Sequence, residues 1–180
     1  LADGAFYNSG QSCCAVERIY VHHSVYREFR LAFLEVVQSF KVGEPTKSDT
    51  YIGPLTRQAQ LSILKDQTED ALSKGASLLL GGKALGGKGW YFEPTILTDV
   101  DHTMKVMTDE SFGPIIGLQQ VDSDSEAVRL MNDSRYGLTA GVYSQDRARA
   151  TTILQAVQSG SSYWNCCDRV SPRLPWTGRR

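Results

Sequence analysis

The chain's apolar positions alternate between two periods. Glu17 to His22 (ERIYVH) reads as a short β-prone run. Val25, Phe29, Ala32, Phe33, Val36, Val37 and Phe40 then recur at helical spacing, with Ser24 as the expected N-cap and Gly43-Glu44-Pro45 as the stop. A second helix is predicted over 56–74, closed by Gly75. Strands are predicted at 77–80 and at 90–97, where Pro94 marks an edge or a bend. A further strand is expected at 114–121. Ser123 with Glu126 forms a capping box for a helix through Met131. A strand at 139–144, a helix capped by Asp146 and running to Gln158, and a last strand at 161–166 complete the series. Strand and helix alternate strictly in the second half. That order predicts one layered α/β domain with a mainly parallel sheet over residues 1–180.

Composition narrows the function. At 180 residues the chain buries roughly 70% of the surface it exposes when unfolded, enough for a core without disulfides or metal. Nineteen basic residues face twenty acidic ones, a formal charge of -1, which argues against a nucleic-acid binder. No apolar run reaches the ~20 residues of a membrane helix. The four cysteines form two vicinal pairs, Cys13-Cys14 and Cys166-Cys167, with no CxxC spacing and no His at ligand spacing. Neither a secreted disulfide framework nor a metal site is expected, and the compartment expected is the reducing cytoplasm. Asn132-Asp133-Ser134 matches a glycosylation sequon but is discounted without a secretory context.

The chemistry concentrates in Phe6 to Arg18, FYNSGQSCCAVER. Small, turn-forming polar residues deliver two cysteines just before a strand. A cysteine in such a loop is suited to act as a thiolate nucleophile, because nearby backbone N–H groups favour its charged form. The plainer reading of either cysteine, from the residues alone, is a small buried hydrophobe. No local His stands near enough to form a Cys–His pair.

Asn8-x-Gly10-Gln11-x-Cys13, followed by Arg18 and Tyr20-Val21-His22, resembles the catalytic-cysteine segment of the aldehyde dehydrogenase superfamily. Further matches follow in order. Lys41-Val42-Gly43-Glu44-Pro45 is similar to the family's K-x-G-x-P turn, and Gly53-Pro54-Leu55 to its G-P-L step. Phe92-Glu93-Pro94-Thr95 is similar to its F-x-P-T strand, and Glu110-Ser111-Phe112-Gly113-Pro114 to its E-x-F-G-P motif. Asn132 with Tyr136-Gly137-Leu138-Thr139-Ala140, then Asn165 and Pro175-Trp176-Thr177-Gly178, resemble its last two segments.

The resemblance implies a three-layer α/β/α catalytic domain and an NAD- or NADP-dependent oxidation of a small-molecule aldehyde. It assigns Cys13 as the nucleophile, passing through a thiohemiacetal and a thioester, with its backbone N–H as an oxyanion donor. Glu110 would bind the nicotinamide ribose hydroxyls and Phe112 would pack beside the nicotinamide. Gln60 matches a cofactor-contacting position only weakly, and a surface helix glutamine is the better expectation. In the family a cofactor domain, a general-base glutamate and an oxyanion asparagine precede the nucleophile, and only 12 residues precede Cys13 here. The expectation is therefore the catalytic domain of a longer enzyme, inactive by itself, and a homo-oligomer. Cys166 or Cys167 would shape substrate access. The alternatives are a non-catalytic relative of the same fold and an acylating, coenzyme A-dependent enzyme. Gly82 to Gly89 (GKALGGKG) mimics a phosphate-binding loop, but Gly89 replaces its hydroxyl residue and a strand, not a helix, is expected next.

Overall fold

A computed structural model describes residues 1–166, 170 and 172–179. The chain opens with a short helix, α1 (Ala2–Phe6), and a 3-10 turn, Tyr7–Gly10. Then come β1 (Arg18–His22), α2 (His23–Gln38), α3 (Gln58–Ser73), β2 (Ser77–Leu80), β3 (Ala84–Leu85), β4 (Tyr91–Phe92) and β5 (Thr95–Thr98). The second half holds α4 (Lys105–Thr108), β6 (Ile115–Val121), α5 (Asp124–Asn132), β7 (Thr139–Val142), α6 (Arg147–Ala156) and β8 (Ser161–Trp164).

The main sheet has the order β1-β6-β5-β2, with β1, β6 and β5 parallel and β2 antiparallel at the edge. Among the described residues β7 and β8 form a second, parallel pair. The α/β class with a mainly parallel sheet is therefore as the pattern predicts. Successive residues of the inner strands feed opposite cores, because side chains alternate across a strand. Ile96, Ile116 and Leu118 join Phe6, Phe33 and Val37 from α1 and α2. Leu97 and Ile115 join Leu64 and Ala71 of α3 and Val106 and Met107 of α4. Helices on both faces of one sheet make the three layers.

Several local expectations shift. The cap of α2 is His22, whose ring accepts the Ser24 N–H, so the polar residue two positions earlier outcompetes Ser24. Ser123 does cap α5, accepting the Glu126 N–H, while Glu126 reaches back to the Asp122 N–H. Asp146 caps α6 through the Arg149 N–H. The run at 90–97 splits at Pro94, which has no N–H to give a ladder. Its second half, β5, lies inside the sheet rather than at its edge. Residues 82–89 lie in and around the β3–β4 hairpin, and β4 follows Lys88, so no helix N-terminus faces that loop. Asn132 of the sequon bridges α5 to the end of α6, donating to Ala156 O and accepting the Gln158 N–H.

Candidate active site

β1 and β6 are parallel neighbours, with Arg18 opposite Gly117. The loop before β1, which carries Cys13, and the loop before β6, which carries Glu110 and Phe112, therefore emerge side by side. Residues nearly a hundred positions apart meet at the amino ends of two strands.

Each residue of Asn8-Ser9-Gly10-Gln11 has a task there. Asn8, Ser9 and Gly10 take positive φ in succession, 49°, 58° and 71°, a tight left-handed path that asparagine and glycine tolerate best. Ser9 Oγ donates to Gly53 O at 3.0 Å. The Gln11 side chain donates to Pro54 O and accepts from both the N–H and the hydroxyl of Thr56. Thus the loop that carries Cys13 is tied to the Gly53-Pro54-Leu55 step. Gly10 packs against the backbone of Gly113, in the loop that carries Phe112.

A turn closed by Ala15 N–H to Ser12 O then places Cys13 and Cys14 at its tip. The pair separates by environment. Cys13 is exposed and Cys14 is buried. The Cys14 thiol lies 3.2 Å from the Tyr7 hydroxyl and 3.3 Å from that of Ser12, and those two hydroxyls also bond each other. The plain expectation of a small buried hydrophobe thus fits Cys14, and the nucleophile expectation falls on the thiol that solvent reaches. Brief alkylation followed by mass mapping is expected to label Cys13 well before Cys14. Equal labelling of the two would contradict this.

The opposite loop is held by side chains at nearly every backbone polar group. Tyr136 Oη accepts the Glu110 N–H at 3.1 Å. Gln67 donates to Glu110 O and Gln60 to Ser111 O. Glu17 Oε2 accepts the Ser111 N–H at 3.0 Å and its Oε1 the Phe112 N–H at 3.1 Å. Arg18 donates to Met107 O and Ser134 Oγ, fixing the start of the same loop. Phe112 has φ 47°, so this clamp holds a non-glycine residue in the left-handed region. Gln60 is buried, at 6% exposure, which corrects the expectation of a surface glutamine. Sequence reasoning gave no role to Glu17, Gln67 or the Tyr136 hydroxyl. Glu17 is the one carboxylate between Gly10 and His22, and nothing in that stretch points to its partners.

Glu110, Phe112, Gln60 and Arg57 line one small cavity of about 300 Å³. Its exposed carboxylate can accept two hydrogen bonds from a diol, and its aromatic ring offers a flat face. A carboxylate acceptor beside an aromatic face is a set that can hold a vicinal diol next to a flat ring. Cys13 lines a separate, larger cleft of about 670 Å³ between β1 and the segment from Tyr136 to Asp146. Asn165 secures the far wall of that cleft by bonding both the N–H and the carbonyl of Ser144. Cys166 is half-buried, while Cys167 and Asp168 lie outside the described residues. Among the described residues no helix is long and apolar enough to cross a membrane.

The model of the aldehyde dehydrogenase family matches residues 1–180. An NADP-dependent succinate-semialdehyde dehydrogenase of Mycobacterium ulcerans is 33% identical over 97% of the chain and 38% of its own length. Aldehyde dehydrogenase family 2 member C4 of Arabidopsis thaliana is 35% identical over 97% of the chain and 35% of its own length. The structure of lactaldehyde dehydrogenase from Escherichia coli superposes with a TM-score of 0.96 at 35% identity, covering 99% of this chain and 38% of that one. The chain thus spans little more than a third of the length of the relatives it matches.

Proposed function

Because the chain belongs to the aldehyde dehydrogenase family, we propose that it carries the nucleophile and part of the cofactor site of an enzyme that oxidises an aldehyde to an acid. The observation that carries this reading is the placement of an exposed thiol, Cys13, on a loop packed directly against the loop bearing Glu110 and Phe112. Staphylococcus aureus betaine aldehyde dehydrogenase, 30% identical with a TM-score of 0.93 over 98% of this chain and 36% of that one, was solved in complex with NAD+.

In this reading the Cys13 thiolate adds to the carbonyl carbon of the aldehyde, forming a C–S bond. The Cys13 N–H faces the oxygen that gains negative charge. The nicotinamide, when bound, supplies the acceptor for the hydride that leaves the same carbon. What stays on Cys13 is a thioester, and water cleaves it to the carboxylic acid and the free thiol. Glu110 would hold the ribose hydroxyls of that cofactor and Phe112 would pack beside its nicotinamide. Gln60 acts on this site from behind, through the backbone of Ser111. Acyl transfer to coenzyme A in place of water is the second outcome that the same thioester permits.

The test uses the full-length product of the gene that carries this sequence. Short aliphatic, aromatic and semialdehyde substrates are offered with NAD or NADP, with and without coenzyme A. Aldehyde-dependent formation of reduced nicotinamide is expected, together with an acyl group on the Cys13 peptide after rapid acid quench. No reduction with any aldehyde would overturn the reading and favour a non-catalytic relative. An acyl thioester of coenzyme A as product would assign the acylating class.

A further inference from the structure

One side chain, Glu17, joins the two loops. Glu17 stands four residues after Cys13, at the entrance to β1. Its two carboxylate oxygens accept the consecutive N–H groups of Ser111 and Phe112, at 3.0 and 3.1 Å. Among the described residues no cation pairs with it. Burial pushes its pKa above the usual carboxylate value, and the two backbone N–H bonds pull against that rise.

Glu17 is half-buried, and a carboxylate partly withdrawn from water without a counter-ion is costly; it persists where the hydrogen bonds it accepts are needed. The two N–H groups belong to the residues on either side of the Ser111–Phe112 peptide, and Phe112 is in the left-handed region. Without an acceptor these N–H groups would be left in a partly closed site, and the loop could relax out of that conformation. The carbonyls of the same loop are held from the other side by Gln60 and Gln67 of α3. The loop is therefore gripped between the strand that follows the nucleophile and the helix behind it.

We infer that Glu17 is a positioning residue: it fixes the Glu110–Phe112 loop at a set distance from Cys13, so that the cofactor-binding groups and the nucleophile keep one register. This rests on the reading of function given above. The same peptide chain runs from Cys13 to Glu17 in five residues, so any shift of the nucleophile turn is passed to the cofactor loop through one side chain.

Two measurements test it. The first is amide hydrogen exchange in the chain as wild type, Glu17→Gln and Glu17→Ala. Glutamine keeps one acceptor oxygen and almost the same shape; alanine keeps none. Exchange at Ser111 and Phe112 is expected to rise about tenfold or more in Glu17→Gln and further in Glu17→Ala, with α2 and β5 unchanged. Unchanged exchange at both amides, or a rise spread evenly over the whole sheet, would overturn the clamp. The near-isosteric Gln variant decides the matter if the Ala variant does not fold.

The second is turnover of the full-length gene product. The KM for the nicotinamide cofactor is expected to rise about tenfold in Glu17→Gln, with a smaller change in kcat and an unchanged rate of Cys13 alkylation. An unchanged cofactor KM beside faster exchange would overturn the positioning role. Absence of turnover in the wild-type protein would defeat the reading of function, and the cofactor role with it, while the exchange result still decides whether Glu17 holds the loop.

Discussion

Cys13→Ala in the full-length gene product is expected to lower aldehyde oxidation on the order of 10⁴-fold or more, while Cys14→Ala lowers it less than about tenfold. The two cysteines are neighbours in sequence, so the contrast isolates geometry from composition. Cys13 sits at the tip of the Ser12–Ala15 turn and is exposed. Cys14 points inward, 5% exposed, against Tyr7 and Ser12. In the proposed reaction, removing Cys13 eliminates the route through a thioester, and no other exposed thiol stands on this loop. Removing Cys14 costs packing and one weak hydrogen-bond cluster. Steady-state rates with the best aldehyde of the panel, read beside the loss of the acyl-peptide signal, check the pair. Equal losses in the two variants, or a Cys13→Ala protein of near wild-type rate, would be incompatible with the assignment.

Gly10→Ala is the second substitution with a large expected effect, and it acts without touching a reacting atom. A Cβ at Gly10 would lie 2.1 Å from Gly113 O and 2.6 Å from Gly113 C, both backbone atoms, at φ +71°. The left-handed conformation alone costs a non-glycine residue roughly 1–2 kcal/mol. Overlap with backbone that cannot swing aside adds about 1–3 kcal/mol. The loops must separate, which moves Cys13 away from Glu110 and Phe112. A displacement of about 1 Å in a site that depends on alignment can cost ~10²-fold in rate. The expected result is a lower denaturation midpoint at unchanged m, with kcat/KM down by about 10²-fold. Gly75→Ala is the control. It shares a positive φ, +102°, but nothing lies within 4 Å of its Cβ, so it should lose stability alone. Gly10→Ala behaving like Gly75→Ala would show that close contact between the two loops is unimportant.

The helices and strands were legible because their apolar residues keep a period that burial enforces. β1, β2, α3, β6 and α5 fall within a residue or two of their predicted bounds. The short helices α1 and α4 were not legible, since five and four residues are too few to show a period. The break in the 90–97 strand was marked by Pro94, but the position of β5 inside the sheet was not, because strand order is set by long-range pairing.

The site divides in the same way. Cys13, Glu110 and Phe112 were singled out by the resemblance of short motifs to a family's segments, since from the residues alone a buried cysteine, a solvated carboxylate and a core ring were the plainer readings. Residue identities did not distinguish Cys13 from Cys14 by exposure, nor show that Gln60 is buried. They left Glu17 unremarked, because a carboxylate before a strand has no chemical signature until its partners are known. Those partners, Ser111 and Phe112, are more than ninety positions away. They become neighbours only because β1 and β6 pair in parallel, which brings the loops before them to one end of the sheet. The sequence by itself determined which groups are available and the local periods that form the elements. The tertiary structure decided which groups meet, because register between distant strands follows from burying both faces of the sheet at once.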